Sequence, residues 1–209
     1  MSVLRLILVL ALPLVALLGA CSFNAYYNPA FTDQPITVEQ KLPGKALVYN
    51  TPTDAKYVFS GHPTSFTGGG TTLSIELGDI ADQIAVNTFD NLFQGGASFA
   101  DSLNNASDYA VVVTPKITSF SYAYNQLKNL GFAITPQVDI NLHVKVTRAT
   151  MVVLDKNYTS GLVDGKSYML SGSPGEEASR AAHKVISDLM NQAARDTYQA
   201  LANPPVTSK

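Results

Sequence analysis

Ten residues in the second half of the chain alternate strictly between apolar and polar side chains. The apolar set is Val138, Ile140, Leu142, Val144 and Val146, and the polar set between them is Asp139, Asn141, His143, Lys145 and Thr147. A period of two places these sets on opposite faces of a β-strand. One wet face and one apolar face are typical of a strand in an antiparallel sheet, so the apolar face needs a covering layer.

Two segments have the three- and four-residue spacing of amphipathic helices that could supply this layer. In the first, residues 77–93, Asp79 and Asp82 lie near the start, where carboxylates suit the positive end of the helix dipole, and Gly95-Gly96 ends the helix. The second begins at Ser173-Pro174-Gly175-Glu176, which has the residues of a capping box. Its apolar stripe consists of Ala178, Ala182, Val185, Leu189 and Ala193.

The other segments of regular pattern are strands. Short strands are predicted at 45–50 and 73–77, and longer ones at 108–124 and 138–154, the last with an irregularity near Arg148. Asp155-Lys156-Asn157 is predicted to turn the chain into a hairpin partner. The order is strand, strand, helix, three antiparallel strands, helix. It predicts an α+β fold, a single domain in which two helices pack on one face of an antiparallel sheet.

An aromatic stripe follows Pro115 in the strand 108–124. Ile117 belongs to one face, and Phe120, Tyr122 and Tyr124 belong to the other, so the pattern predicts a β-bulge beside the proline. Two interpretations of the stripe stay open. It could pack as core, or the bulge could turn it outward as a patch that contacts a partner protein or a lipid.

The N-terminus has the features of an export signal. Arg5 precedes a run of apolar residues from Leu6 to Leu18, interrupted only by Pro13. The run is well short of the roughly 20 residues needed to span a bilayer. A charged start, a short apolar stretch and small residues at its end indicate a secretory signal peptide.

The end of that segment contains the only cysteine of the chain. Leu18-Gly19-Ala20-Cys21 resembles the bacterial lipobox, which implies cleavage before Cys21 and acylation of its thiol and amino group. Ser22 follows where Asp is the usual inner-membrane retention signal, so the resemblance implies the outer membrane. Cys21 is therefore the predicted lipidation site, and its partner is the lipid bilayer.

These features predict four parts of the chain. Residues 1–20 form the removed signal peptide and residues 21–43 a lipidated, extended tether that contains Pro29, Pro35 and Pro43. Residues 44–203 form the globular α+β domain, and residues 204–209 a disordered tail.

The sequence contains no catalytic or metal-binding motif. His62, His143 and His183 have no metal-ligand spacing, and the glycines at 68–70 lack the lysine that a phosphate loop needs, since no lysine occurs between Lys56 and Lys116. The chain has 14 Lys and Arg against 16 Asp and Glu, without a basic cluster, which argues against nucleic acid as a partner. We expect no metal, no cofactor and no catalytic residue.

Several blocks of the chain resemble small envelope lipoproteins of Gram-negative bacteria. They are the lipobox, "TSFTGGGTTLSIELGDIADQIAVNTFDNLF" (64–93), "DYAVVVTPKITSF" (108–120) and "VVLDKNY" (152–158). The families that they resemble are the YajG-like lipoproteins, the auxiliary lipoproteins of ABC-type transport systems and the lipopolysaccharide-assembly lipoprotein. The resemblance implies a non-catalytic, periplasm-facing accessory or binding subunit of an envelope transport or assembly complex. The alternatives are an envelope hydrolase and a surface-exposed structural lipoprotein.

Overall fold

The structure is a computed structural model that describes residues 21–125, 127–129, 133–169 and 173–203. The predicted signal peptide (1–20) and tail (204–209) lie outside the described residues. The strands are β1 (Cys21–Ala25), β2 (Ala46–Val48), β3 (Phe59–Gly61), β4 (Thr71–Ile75), β5 (Ala97–Phe99), β6 (Val111–Asn125), β7 (Thr135–Arg148), β8 (Met151–Thr159) and β9 (Val163–Asp164). The helices are α1 (Pro52–Ala55), α2 (Leu77–Asp90) and α3 (Pro174–Ala202), with 3-10 turns at Pro29–Phe31, Ala106–Asp108 and Leu127–Asn129.

The larger of two sheets has the strand order β5-β2-β6-β7-β8, with β9 also paired to β7. The long strands β6, β7 and β8 are antiparallel, whereas β2 is parallel to both β5 and β6. The apolar set of β7, from Val138 to Val146, is fully buried, and α2 and α3 pack over this face of the sheet and against each other. The single α+β domain with two long helices on a sheet is confirmed.

A second, three-stranded sheet was not predicted as a separate sheet. Its order is β1-β4-β3, with β1 parallel to β4 and β3 antiparallel to it. β4 is the predicted half-buried strand, and Leu73 and Ile75 are its buried residues. The architecture is therefore two sheets and a helical layer rather than one antiparallel sheet.

The predicted bulge in β6 is present, although it lies beyond the proline. The pairing of β6 with β7 shifts register between Ile117 and Ser119. The extra residue, Thr118, changes which side chains face inward, so Ile117 and Phe120 are both buried although they are three positions apart, a spacing that puts side chains on opposite faces of a regular strand. One strand can thereby face the helices with its first half and the small sheet with its second half.

The turn predicted at 155–157 is wrong. These residues lie inside β8, where Lys156 pairs with Val144, and the chain reverses at Ala149-Thr150. Ala149 has a φ of 50°, the left-handed conformation that Gly, Asn or Asp usually takes in a tight hairpin. The local sequence therefore lacks the usual turn signal at the place where the turn occurs.

The two long helices begin near their predicted positions, but with different caps. Ser173 is the N-cap of α3, yet its side chain makes no capping hydrogen bond, and Glu176 pairs with Arg180 at 3.1 Å instead. The predicted capping box is therefore wrong in its hydrogen bonds. Asp79 lies in the first turn of α2 as expected, whereas Asp82 is buried and accepts a hydrogen bond from Asn50 at 2.7 Å.

Residues 21–43 differ most from their prediction as an extended tether. They form β1 and a 3-10 turn and then lie along the seam between α2 and α3. The Asn87 amide of α2 donates to the Tyr27 hydroxyl at 2.6 Å. On the α3 side, Asn191 accepts from the Ile36 backbone N–H at 3.1 Å. The segment is therefore packed against the domain and is not a free tether, because its aromatic and backbone groups contact both helices.

Candidate functional site

A cleft of about 480 Å³ opens between β1, the turn that follows it and the first turns of α3. Its walls include Phe23, Tyr26, Tyr27, Phe31, Glu176 and Ser179. Tyr26 is 59% exposed and is the aromatic side chain most available to a ligand there. The cleft lies a few residues from Cys21, the predicted lipidation site and first residue of β1.

Gly175 allows β1 to approach α3 closely enough to form this cleft. A Cβ atom at position 175 would lie 2.1 Å from Cγ of Phe23, which is far inside van der Waals contact. The glycine sits in the first turn of α3, after Pro174, where its poor helix propensity costs less than in the helix centre. Its absent side chain therefore has a packing role.

His183 is fully buried behind the cleft wall, where it contacts the lining residues Tyr27 and Phe31. Its Nε2 accepts the backbone N–H of Asn28 at 3.0 Å, and its Nδ1–H donates to the carbonyl oxygen of Ser179 at 2.8 Å. Tyr27 stacks on the imidazole at 6.0 Å between ring centroids, and Phe31 meets it edge-on at 5.7 Å. Burial lowers the pKa of His183, so the neutral ring with a proton on Nδ1 is the favoured form.

Ser179 and His183 do not form an activated nucleophile. The Ser179 hydroxyl is 3.4 Å from Nδ1, but that nitrogen already donates to a carbonyl oxygen at a shorter distance. The other ring nitrogen uses its lone pair to accept from Asn28. A general base needs a free lone pair directed at the nucleophile, so this arrangement holds a chain segment in place and does not activate the hydroxyl.

Beside the cleft, a cation lies over an aromatic ring of its wall. The Arg180 guanidinium lies 3.9 Å from the centroid of the Phe31 ring and pairs with Glu176 at 3.1 Å. Together with Tyr26, this gives the cleft aromatic walls and one mixed-charge edge. Such a surface suits a ligand that has an apolar body and a polar end.

The other two histidines do not line the cleft. His62 contacts the carbonyl oxygen of Thr71 at 2.8 Å, and His143 meets Asp155 at 2.7 Å on the polar face of the large sheet. Among the described residues, no group of three or more His, Cys, Asp and Glu side chains could hold a metal ion. Likewise, no helix in the described part of the chain is both long and apolar enough to cross a membrane.

A carboxyl pair lies beside the segment that follows the cleft. Burial raises the pKa of Asp188, and the neighbouring charge of Asp33 raises it further, while Lys184 and Arg195 oppose these effects. Lys184 also lies 3.8 Å from Asp33. The basic neighbours make this a charge cluster that ties residue 33 to α3.

The aromatic stripe of β6 is core. Phe120, Tyr122 and Tyr124 are 8%, 1% and 5% exposed. Phe59 of β3 meets Phe120 with ring centroids 4.8 Å apart, and the Tyr122 hydroxyl donates to the carbonyl oxygen of Gly61 at 3.0 Å. The bulge therefore directs the stripe against the small sheet. The interpretation of the stripe as an outward-facing partner patch is wrong, because the three side chains are buried between the two sheets.

The residues that build the cleft were not identified from sequence. Phe31 and Tyr26 belong to a segment predicted as tether, and His183 lies beside the apolar stripe of α3 without any motif. The local signal that could have been used is Gly175, a glycine inside the first turn of a helix where a packing reason is needed.

Comparison with known proteins shows a similarity of fold. No family model and no curated protein matches the chain. Among solved structures, the chain is similar to protein XCC0632 from Xanthomonas campestris, described as DUF330, with a TM-score of 0.53 and 12% sequence identity. The match covers 88% of this chain and 97% of that one. At this identity the likeness concerns the fold alone.

A second solved structure is the PelC L103M dodecamer from Paraburkholderia phytofirmans. The match has a TM-score of 0.33 and 13% identity, and it covers 75% of this chain and 94% of that chain.

Proposed function

We propose that the chain is an outer-membrane lipoprotein, anchored by acylated Cys21, that serves as a periplasm-facing accessory or binding subunit of an envelope transport or assembly complex. The observation that carries the proposal is Leu18-Gly19-Ala20-Cys21, directly after a short apolar leader. The YajG-like, ABC-type auxiliary and lipopolysaccharide-assembly lipoproteins remain the families whose resemblance supports it.

The cleft supports a binding role for this subunit. Its aromatic walls and the Arg180–Glu176 pair provide contact surface, while both ring nitrogens of His183 are engaged in holding the chain. The geometry thus suits the holding of a partner segment better than the turnover of a substrate. The position of the cleft beside Cys21 would keep that partner close to the membrane.

Acylation is tested by metabolic labelling with a palmitate analogue in a Gram-negative host. The wild type is expected to incorporate label and Cys21→Ser to incorporate none. Ser22→Ala is the matched control, which keeps the thiol and should retain label. Label retained by Cys21→Ser would contradict the anchor.

Partner binding is tested by crosslinking in intact membranes followed by affinity purification. Tyr26→Ala is expected to lose the crosslinked envelope partner, and Phe99→Ala, which truncates an exposed aromatic on β5 away from the cleft, is expected to keep it. Equal crosslinking by both variants would show that the cleft is not the docking site. Digestion by protease added to intact cells would instead favour the surface-exposed alternative.

A further inference from the structure

The three most exposed large apolar side chains among the described residues lie at one end of the molecule. Phe66 is 104% exposed, Leu127 88% and Met169 65%. We call these three residues the loop-tip rim. Each stands on a different loop, and exposed apolar side chains that cluster in this way mark an interaction surface.

Hydrogen bonds place the three loops side by side. The loop of Phe66 lies along the end of β6, where the Tyr124 backbone N–H donates to the Ser65 hydroxyl at 2.8 Å. Leu127 follows directly on β6. Met169 comes after Tyr168, whose backbone pairs in both directions with Ile134, the residue that precedes β7. All three loops therefore surround the same end of the β6–β7 hairpin.

Cys21 lies at this end as well. Its backbone pairs with Thr71, and Thr71 donates to the carbonyl oxygen of Gly68 in the loop of Phe66 at 2.8 Å. Because Cys21 is already the first residue of β1, no free linker separates the acylation site from the domain. Lipid attached to Cys21 would hold this end of the domain at the bilayer surface.

The charges of the three loops suit a phospholipid surface. Residues 62–70, 127–129 and 165–169 contain Lys128 and Lys166 and no Asp or Glu. Lys128 is ion-paired with Asp164, just outside the third range, so Lys166 is the basic residue of these ranges that supplies the net positive charge. Basic side chains beside apolar tips are typical of segments that rest in the interface of anionic membranes.

We propose that the loop-tip rim inserts into the membrane that holds Cys21 and so fixes the orientation of the domain on the bilayer. This inference rests on the proposed acylation of Cys21. The lipid chains supply the affinity, since two or more chains already anchor firmly. The rim supplies orientation, because one attachment point restricts distance but leaves rotation free.

The opposite end of the long strands offers a matched control. Met151 is 64% exposed, almost the same as Met169, and it follows the β7–β8 turn. The 14 residues of β7 separate the two ends, by about 45 Å at 3.3 Å per residue. Acylation would occupy the only native cysteine, so an introduced cysteine is the single thiol available for labelling.

The test uses the full-length chain, processed and acylated in a Gram-negative host, with an environment-sensitive dye on Phe66→Cys, Leu127→Cys, Met169→Cys or Met151→Cys. Each protein is reconstituted in vesicles of phosphatidylethanolamine and phosphatidylglycerol that contain doxyl-labelled phosphatidylcholine as quencher. The three rim probes are expected to shift to shorter wavelength and lose most of their emission. The Met151 probe is expected to emit as it does in buffer.

Mass analysis of the N-terminal peptide separates the two proposals. Acylated protein whose rim probes stay unquenched, or whose Met151 probe is quenched equally, would overturn membrane insertion of the rim while leaving the anchor intact. Protein without acyl chains on Cys21 would overturn the proposed function and the inference with it.

Discussion

At the scale of single residues, Asp82 shows how burial alters the chemistry of a carboxyl group. The position of Asp82 in the sequence suggested a charge that interacts with the helix dipole. Asn50 donates to the Asp82 carboxyl group at 2.7 Å and also to the carbonyl oxygen of Pro115. Burial raises the pKa of Asp82 from an ordinary 3.8 to about 7, and the charges of Asp79 and Asp54 add to the effect. The protonated form is therefore favoured in the folded state at mildly acid pH.

This shift predicts a pH dependence for Asp82→Asn. The folded state binds the proton between about pH 4 and 7 and the unfolded state does not, so the carboxyl makes the wild type less stable as pH rises through that window. The variant cannot titrate at this position. Its stability relative to wild type should increase between pH 4 and 8, by at most about 4 kcal/mol.

Chemical denaturation of both proteins at each pH measures this difference. The comparison with wild type removes the opposite contribution of His183, whose lowered pKa makes stability fall as pH drops below 6.5. Asp101→Asn, in an exposed loop, is the control and should follow wild type at every pH. A constant difference between Asp82→Asn and wild type would mean that Asp82 does not titrate in this range.

Gly175 is the second residue whose role depends on its surroundings. Gly175→Ala would favour the helix by up to about 1 kcal/mol on propensity alone, but its methyl group would collide with Phe23. We expect net destabilisation of about 1–3 kcal/mol in thermal or urea unfolding. Gly70→Ala, where a Cβ meets nothing within 4 Å, should be close to neutral.

A double variant tests the cause of that loss. Adding Phe23→Ala removes the ring that the new methyl group meets, so the two substitutions should be strongly non-additive. Additive losses would locate the effect of Gly175→Ala away from β1.

At the scale of elements, the second half of β6 joins the two sheets. Its aromatic stripe lies between β6 and β3, and Tyr122 is both buried and hydrogen-bonded. Tyr122→Ala should cost about 3 kcal/mol or more, as aromatic truncations in a core do. Phe66→Ala, which truncates a fully exposed ring in the loop beside β6, should leave the melting temperature unchanged. A Tyr122 variant with the melting temperature of wild type would mean that the stripe lies on the surface and not in the core.

At the scale of the whole molecule, residues 21–43 belong to the domain. Asn28 contacts His183 across 155 residues of sequence, and the Tyr198 hydroxyl of α3 donates to the carbonyl oxygen of Gln40 at 3.1 Å. Removing the segment would expose the edge of β4 and leave buried His183 without its Nε2 partner. Such a loss destabilises through both lost packing and an unpaired buried group.

Truncation tests this boundary. Fragment 44–203 is expected to unfold at lower urea concentration than fragment 22–203, and its α3 amides should exchange faster with solvent. Equal stability of the two fragments would mean that residues 21–43 are a tether outside the folded unit.

The sequence by itself determined the elements whose signal is local. Apolar spacing of two and of three to four residues located β6, β7, α2 and α3 and the faces that they bury, because that period is set by the geometry of each strand or helix. The bulge in β6 could be predicted for the same reason, since one extra residue shifts the alternation of buried and exposed side chains between Ile117 and Phe120.

Only the tertiary structure decided the features that depend on contacts distant in sequence. The parallel pairing of β1 with β4, the docking of residues 26–36 between the helices and the burial of Asp82 leave no period and no motif. Two signals misled because their residue types suit more than one environment: Asp155-Lys156-Asn157 occurs in an exposed strand, and Ser173 starts a helix without capping it. The cleft is built from such distant contacts. Its walls could not be predicted from the sequence, because they form where the N-terminal segment packs against α3.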